Sequence, residues 1–334
     1  MGTSFCANCG FALTPIGDAE ASGTEVGGLQ EGALRPSGLV GLLSLTLGTY
    51  QRGFKGLLGI ALVGQIVLAV VSYVINQANG VPFGTFPFGG FGFDISEWPA
   101  KLDERTFAET EPHISWLFIP LTLFSIGFSV VMSGAVIHAT AVRYAGRDIS
   151  LGGSYGVGAR RAVVVVLSGL VLLLLGLPVL VGLVFMSTII SVALGPVGVV
   201  ISIIVILALM LFLMVSFAVY VPAIIIERLG PVAALGRSWQ LVKGDRWRLL
   251  GIGFVFGILI IISSLLSLIP GVAIGFVNNT LGIAVNAAIG ALVLPLGGIA
   301  YAVIYLDLRI RKEGLTLTVL ADDLDGITLT PQDS

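Results

Sequence analysis

The chain has almost no cysteine and almost no histidine: among 334 residues, only Cys6, Cys9, His113 and His138 carry those side chains. Two cysteines give no disulfide framework. Two separate histidines do not supply the clustered ligands or nucleophile–base pairs of most metal and hydrolytic centres. Charge is equally scarce. Charged residues make up 11% of the chain against 56% hydrophobic, and the mean hydropathy is +1.03, which excludes a soluble fold. The net charge of -2 and pI near 5.7 leave no basic surplus, and no nucleic-acid partner is expected. No secretory signal is expected either, because the first long apolar stretch begins near Phe54 with no small-residue cleavage site after it. The N-terminus is therefore expected to stay on the mature chain.

What is present is long apolar runs. Ala162 to Ile226 and Leu249 to Leu306 hold no charged residue, and each is far longer than the roughly 20 residues that cross a bilayer as helix. Each must fold back on itself, so the expected class is an all-α membrane protein. Six spans fit: Phe54 to Asn76, Ser115 to Val142, Ala162 to about Ser191, about Pro196 to Ile226, Leu249 to about Val277, and about Leu281 to Leu306. Gly195-Pro196-Val197-Gly198 and Asn278-Asn279-Thr280 supply the turns between the last two pairs. Pro120, Pro178, Pro222, Pro270 and Pro295 fall in or near span ends and predict kinks rather than breaks, since neighbouring helices can satisfy the freed carbonyls.

The few cations are segregated. Arg35, Arg52 and Lys55, then Arg143, Arg147, Arg160 and Arg161, then Arg228, Arg237, Lys243, Arg246 and Arg248, then Arg309, Arg311 and Lys312 share one side of a six-span chain. Only Lys101 and Arg105 fall on the other, in a loop from Gln77 to Ile114 that also carries acids and Phe83, Phe86, Phe88, Phe91, Phe93 and Trp98. Lys and Arg collect on the cytoplasmic side, so both termini are expected there, in the plasma membrane. The aromatic loop is read as hugging the outer interface, with partner binding as the alternative.

Three stretches on the basic side share a pattern of Leu, Gly and an aromatic ring: Leu47 to Tyr50, Leu151 to Tyr155 and Leu235 to Trp239. Each precedes cations and a span, and the first has apolar residues at helical spacing in Leu39, Leu42, Leu43 and Leu47. Read together they give three parallel repeats of interfacial helix plus transmembrane hairpin, with the interfacial helices contacting anionic lipid headgroups. The bland alternative is that any cytoplasmic linker gathers rings and cations.

Val221-Pro222-Ala223-Ile224-Ile225-Ile226-Glu227-Arg228-Leu229-Gly230-Pro231, its continuation through Gly236-Arg237-Ser238-Trp239 to Arg248, and Tyr301 to Gly314 carry a resemblance. Over residues 40 to 315 the chain resembles the prokaryotic multi-pass family related to the membrane domain of glycerophosphoryl diester phosphodiesterases. The resemblance implies a six-helix membrane domain and a bacterial or archaeal source. It implies no phosphodiesterase activity, because that chemistry belongs to a separate soluble domain.

Phe5-Cys6-Ala7-Asn8-Cys9-Gly10 resembles the first knuckle of a zinc ribbon. Cys6 and Cys9 are two thiolates spaced for one tetrahedral ion, whereas a structural site takes four ligands. Three readings stay open: an unfilled knuckle, a zinc site shared between two chains of a homodimer, and a redox dithiol. The expected organisation is then a knuckle at 1–12, a flexible linker at 13–38, the six-helix domain at 39–315 and a cytoplasmic tail at 316–334.

Ionisable groups in a membrane default to functional candidates. Glu227, Arg228, Asp307 and Arg309 sit at span ends, where they reach headgroups or pair with each other. His138 lies about a turn inside its border, bonded to a neighbouring helix or, alternatively, in a proton relay. Gln65, Ser72, Ser129, Ser133, Ser216 and Asn286 are read as interhelical bonding groups, and Gly253 with Gly257 as a close-packing face of span five. The leading expectation is a non-enzymatic membrane-organising, sensing or scaffolding protein. The alternatives are a transporter or channel and, third, a lipid-modifying enzyme in which Asp307, Glu227 and His138 would converge.

Overall fold

The computed structural model describes residues 4–5, 12–13, 38–79, 116–275 and 279–325. The chain divides into two units, Met1–Gly32 and Ala33–Ser334. In the first, strand β1 (Ser4–Phe5) pairs antiparallel with β2 (Ala12–Leu13), Ser4 opposite Leu13 and Phe5 opposite Ala12. Cys6 and Cys9 lie between them and outside the described residues, as do residues 14–37 and the aromatic loop at 80–115.

The second unit is helical: α1 (Leu39–Arg52), α2 (Phe54–Asn79), α3 (Phe118–Tyr144), α4 (Leu151–Leu194), α5 (Pro196–Ser216), α6 (Tyr220–Ile226), α7 (Pro231–Val242), α8 (Arg246–Gly275), α9 (Asn279–Glu313) and α10 (Leu317–Asp325). Among the described residues, six segments are long and apolar enough to cross a membrane, in α2, α3, α4, α5 with α6, α8 and α9. A helical unit with six candidate spans agrees with the expected all-α membrane protein. The 21 residues of α5 rise about 31 Å at 1.5 Å per residue, close to the roughly 30 Å of a hydrocarbon core. Leu175, Phe185, Ile203 and Met214 stand well exposed on α4 and α5, an apolar surface of the kind that lipid tails cover favourably. Trp116 and Trp247, 81% and 87% exposed, mark opposite ends of the spans, where amphipathic rings meet headgroups.

The spans pack in chain order and close: α2 on α3, α3 on α4, α4 on α5, α5 on α8, α8 on α9 and α9 on α2, with α3 and α9 also in direct contact. The tight core sits at the basic end. There Ile137, Ile224, Ile226, Tyr305, Leu306 and Leu308 are buried in one cluster, and Leu42, Leu57, Ile60, Ile252 and Ile299 in a second. Every described lysine and arginine falls at that end. α3 crosses α4 where Gly158 approaches the Val131 carbonyl so closely that a Cβ would collide with it. By contrast, Gly253 and Gly257 have nothing within 4 Å of where a Cβ would be. The close-packing face expected on span five is therefore open among the described residues.

Two expectations about span four and its neighbours change. Span four is not one kinked helix. It breaks at Phe217–Val219, because Pro222 has no N–H to bond Ala218 and its ring crowds that carbonyl. Pro178, Pro270 and Pro295, in contrast, sit inside continuous helices. The second aromatic stretch does not form a helix of its own but opens the 44-residue α4. Ser150 caps that helix by accepting from the Gly153 amide. The first and third stretches do lie in separate helices, α1 and α7. α1 buries Leu42, Thr46 and Thr49 against the spans and leaves Leu47 and Val40 exposed.

Candidate functional site

The break after α5 leaves backbone groups over, and α7 supplies what they lack. Ser238, fully buried, donates to the Ser216 carbonyl at 3.0 Å and accepts from the Val219 amide at 3.3 Å. One hydroxyl thus replaces two missing helix bonds. α6 can then leave the line of α5 and pack against α3, α4, α7 and α9, with Pro222 to Ile226 all buried. This path delivers Glu227 to the centre of an ion cluster.

Glu227 accepts from Arg237 Nε at 2.9 Å and Nη2 at 2.8 Å, from the Tyr305 hydroxyl, and pairs with Arg309 Nε at 3.1 Å. Arg237 also binds Glu313 through both terminal nitrogens, one contact being 2.7 Å. Arg309 reaches Asp323 on α10 at 2.7 Å. Three carboxylates and two guanidinium groups therefore tie α6, α7, α9 and α10 together. Charge-assisted forks of this kind are among the stronger hydrogen bonds. Burial opposes the charged form of Arg237, but its bonds to Glu313 and Glu227 outweigh that effect and hold it above the usual arginine value.

Beside this cluster, Asp307 is buried and receives Arg248 at 2.7 Å and Arg311 at 3.0 Å. Lys312 pairs with Asp245 at 2.7 Å, locking the start of α8 to the end of α9. Arg246 donates to Ser216 Oγ at 3.2 Å, and its guanidinium lies 4.7 Å and 4.5 Å from the ring centres of Phe212 and Trp239, a cation–π sandwich.

Of the residues singled out in the sequence, Glu227 and Arg309 do pair with each other, whereas Arg228 bonds the Leu324 carbonyl at 2.7 Å. His138 bonds the neighbouring helix through Ser154, Nδ1 to Oγ 3.4 Å. Glu227, Asp307 and His138 each have their own partners. Arg237, Arg246 and Arg248 bind inside the protein, while Lys243 is exposed. Sequence reasoning missed Ser238, Tyr305 and the acids of α10. The signal for Ser238 was a proline placed to break span four and a small hydroxyl within the next amphipathic segment. Among the described residues no cluster of His, Cys, Asp or Glu is arranged to hold a metal ion.

No curated protein and no solved structure matches the chain. A family described as a domain of unknown function, DUF7847, matches residues 116–308, a stretch from just before α3 that takes in Glu227, Arg237, Ser238, Tyr305 and Asp307. With that match covering more than half of its 334 residues, the chain belongs to the DUF7847 family.

Proposed function

We propose that the chain is a non-enzymatic protein of the cell membrane with both termini in the cytoplasm, a scaffold or sensor that engages anionic lipid headgroups through its basic end. The observation that carries this reading is a division among the cations. Arg237, Arg248, Arg309, Arg311 and Lys312 bind carboxylates of the same chain. Among the described residues, Arg52, Lys55, Arg160 and Lys243 stand exposed without such partners, at the end that also bears Trp239 and Trp247. Each surface cation adds about 1 kcal/mol of attraction to an anionic leaflet. The segregation of Lys and Arg supports the cytoplasmic assignment. Separate helices α1 and α7 ahead of α2 and α8 support the repeat of interfacial helix plus hairpin at two of its three places. Transport is the second reading, favoured by the closure of α9 back on α2.

The test is reconstitution of the full chain with phosphatidylcholine alone or mixed with phosphatidylglycerol, with retained lipid read by native mass spectrometry. Wild-type protein should prefer the anionic lipid, and exchange of Arg52, Lys55, Arg160 and Lys243 for Gln should erase the preference while the helices persist. An unchanged preference defeats the scaffold reading. Solute flux that disappears in Glu227→Gln or Asp307→Asn would put transport in its place.

A further inference from the structure

The helix α10 forms against its own local chemistry. Nine residues are too few to be helical alone. Asp322, Asp323 and Asp325 crowd its C-terminal turn, where the helix dipole repels carboxylates. Gly314, with φ of 65°, ends α9 in the left-handed conformation and turns the chain back, and Thr316 accepts from the Val319 amide to start α10.

Docking supplies the rest. Leu320 and Leu324 are buried in the cluster that holds Ile224, Ile226 and Leu308. Three arginines from separate segments take the C-terminal turn. Arg147, after α3, forks onto Asp325 at 2.7 and 2.9 Å. Arg309, on α9, holds Asp323. Arg228, after α6, donates to the Leu324 carbonyl. Among the described residues Arg228 is the one non-glycine with positive φ, 57°, and its own carbonyl is held by Arg161 at 3.1 Å. A strained backbone that aims a guanidinium at a docked helix marks a built site.

We propose that Arg147, Arg228 and Arg309 form a docking cradle for an acidic amphipathic helix, occupied in cis by α10, and that a partner helix with leucines four apart and carboxylates in its last turn displaces it. The cradle selects a helix over a headgroup for two reasons. Arg228 reads a main-chain carbonyl of the kind left over at a helix C-terminus, and the apolar floor accepts paired leucines. α10 is then an internal competitor, and the site's affinity for a partner is reduced by the fraction of time α10 fills it.

The test uses the full chain, wild type and Asp323→Asn/Asp325→Asn, with a fluorescent peptide of residues 315–334 as probe. Hydrogen exchange at residues 318–325 should be about tenfold faster in the double variant with the spans unchanged, and the peptide should bind that variant about tenfold more tightly than wild type. A peptide carrying the same Asp→Asn changes should not bind. Amides as protected in the variant as in wild type, or a peptide that binds both proteins alike or neither, would overturn the proposal.

Discussion

Replacing Ser238 by Ala tests whether the break between α5 and α6 depends on one hydroxyl. The substitution removes a donor to the Ser216 carbonyl and an acceptor for the Val219 amide at a site with no solvent exposure. Each buried backbone group left unsatisfied costs about 1–3 kcal/mol, so the variant should lose roughly 2–6 kcal/mol. Two controls separate this cause from general damage. Gln240→Ala, on the exposed face of the same helix, should change stability by less than about 0.5 kcal/mol. Ser216→Ala removes the side-chain bond from Arg246 but leaves both backbone bonds to Ser238 in place, and should cost about 1 kcal/mol. The assay is equilibrium unfolding of the purified chain in mixed micelles, with tryptophan fluorescence as readout. A Ser238→Ala loss no larger than that of Gln240→Ala would refute the argument, because the broken helix would then be satisfied in some other way.

Arg237→Ala should destabilise the chain by roughly 3–5 kcal/mol in the same assay, since it leaves Glu227 and Glu313 short of a shared partner; Arg237→Lys should recover only part, lacking the fork, and an unchanged transition would disprove the cluster's role. The hydrogen bond from Arg147 holds Asp325 below the usual carboxylate value. A depressed pKa means that the contribution is present above the unfolded value, about 3.9, and is lost as pH falls through the folded one. A fluorophore at Val319→Cys, with Cys6 and Cys9 exchanged for Ser, should therefore report a looser α10 only on acidification below that range, and a signal indifferent to such acidification would count against the fork. If zinc is shared between two chains through Cys6 and Cys9, metal analysis should give about one zinc per two chains, lost in Cys6→Ser; metal-free protein ends that reading.

The reading of each segment succeeded or failed according to how local its cause was. The uncharged runs revealed spans directly, because hydrocarbon solvation needs about 20 apolar residues wherever they pack. Gly195 and Pro196 marked a turn because the constraint lies in their own backbones: Gly195 has φ of 60° and Pro196 opens α5. Pro222 was legible as a disturbance but not as a break, since whether a span kinks or divides depends on who satisfies the freed groups. That partner, Ser238, lies sixteen positions along the chain. The close contact of Gly158 with Val131 and the open face at Gly253 and Gly257 also look alike in a sequence with 45 glycines.

The amino-acid sequence by itself determined the membrane class, the six spans and the segregation of cations to one end, because these follow from the transfer of side chains between water and lipid. Only the tertiary structure decided what the cations do. Arg237, Arg246 and Arg248, chemically indistinguishable in the sequence from Lys243 as ligands for headgroups, turn inward to Glu227, Phe212 and Asp307. Residues 317–325, at the start of the expected cytoplasmic tail, form α10 and meet α3, because Leu320 and Leu324 enter the buried cluster of the helical unit. A charge-assisted hydrogen bond forms only at about 3 Å, so the partner of a charge is fixed by the approach of segments that are remote in the chain.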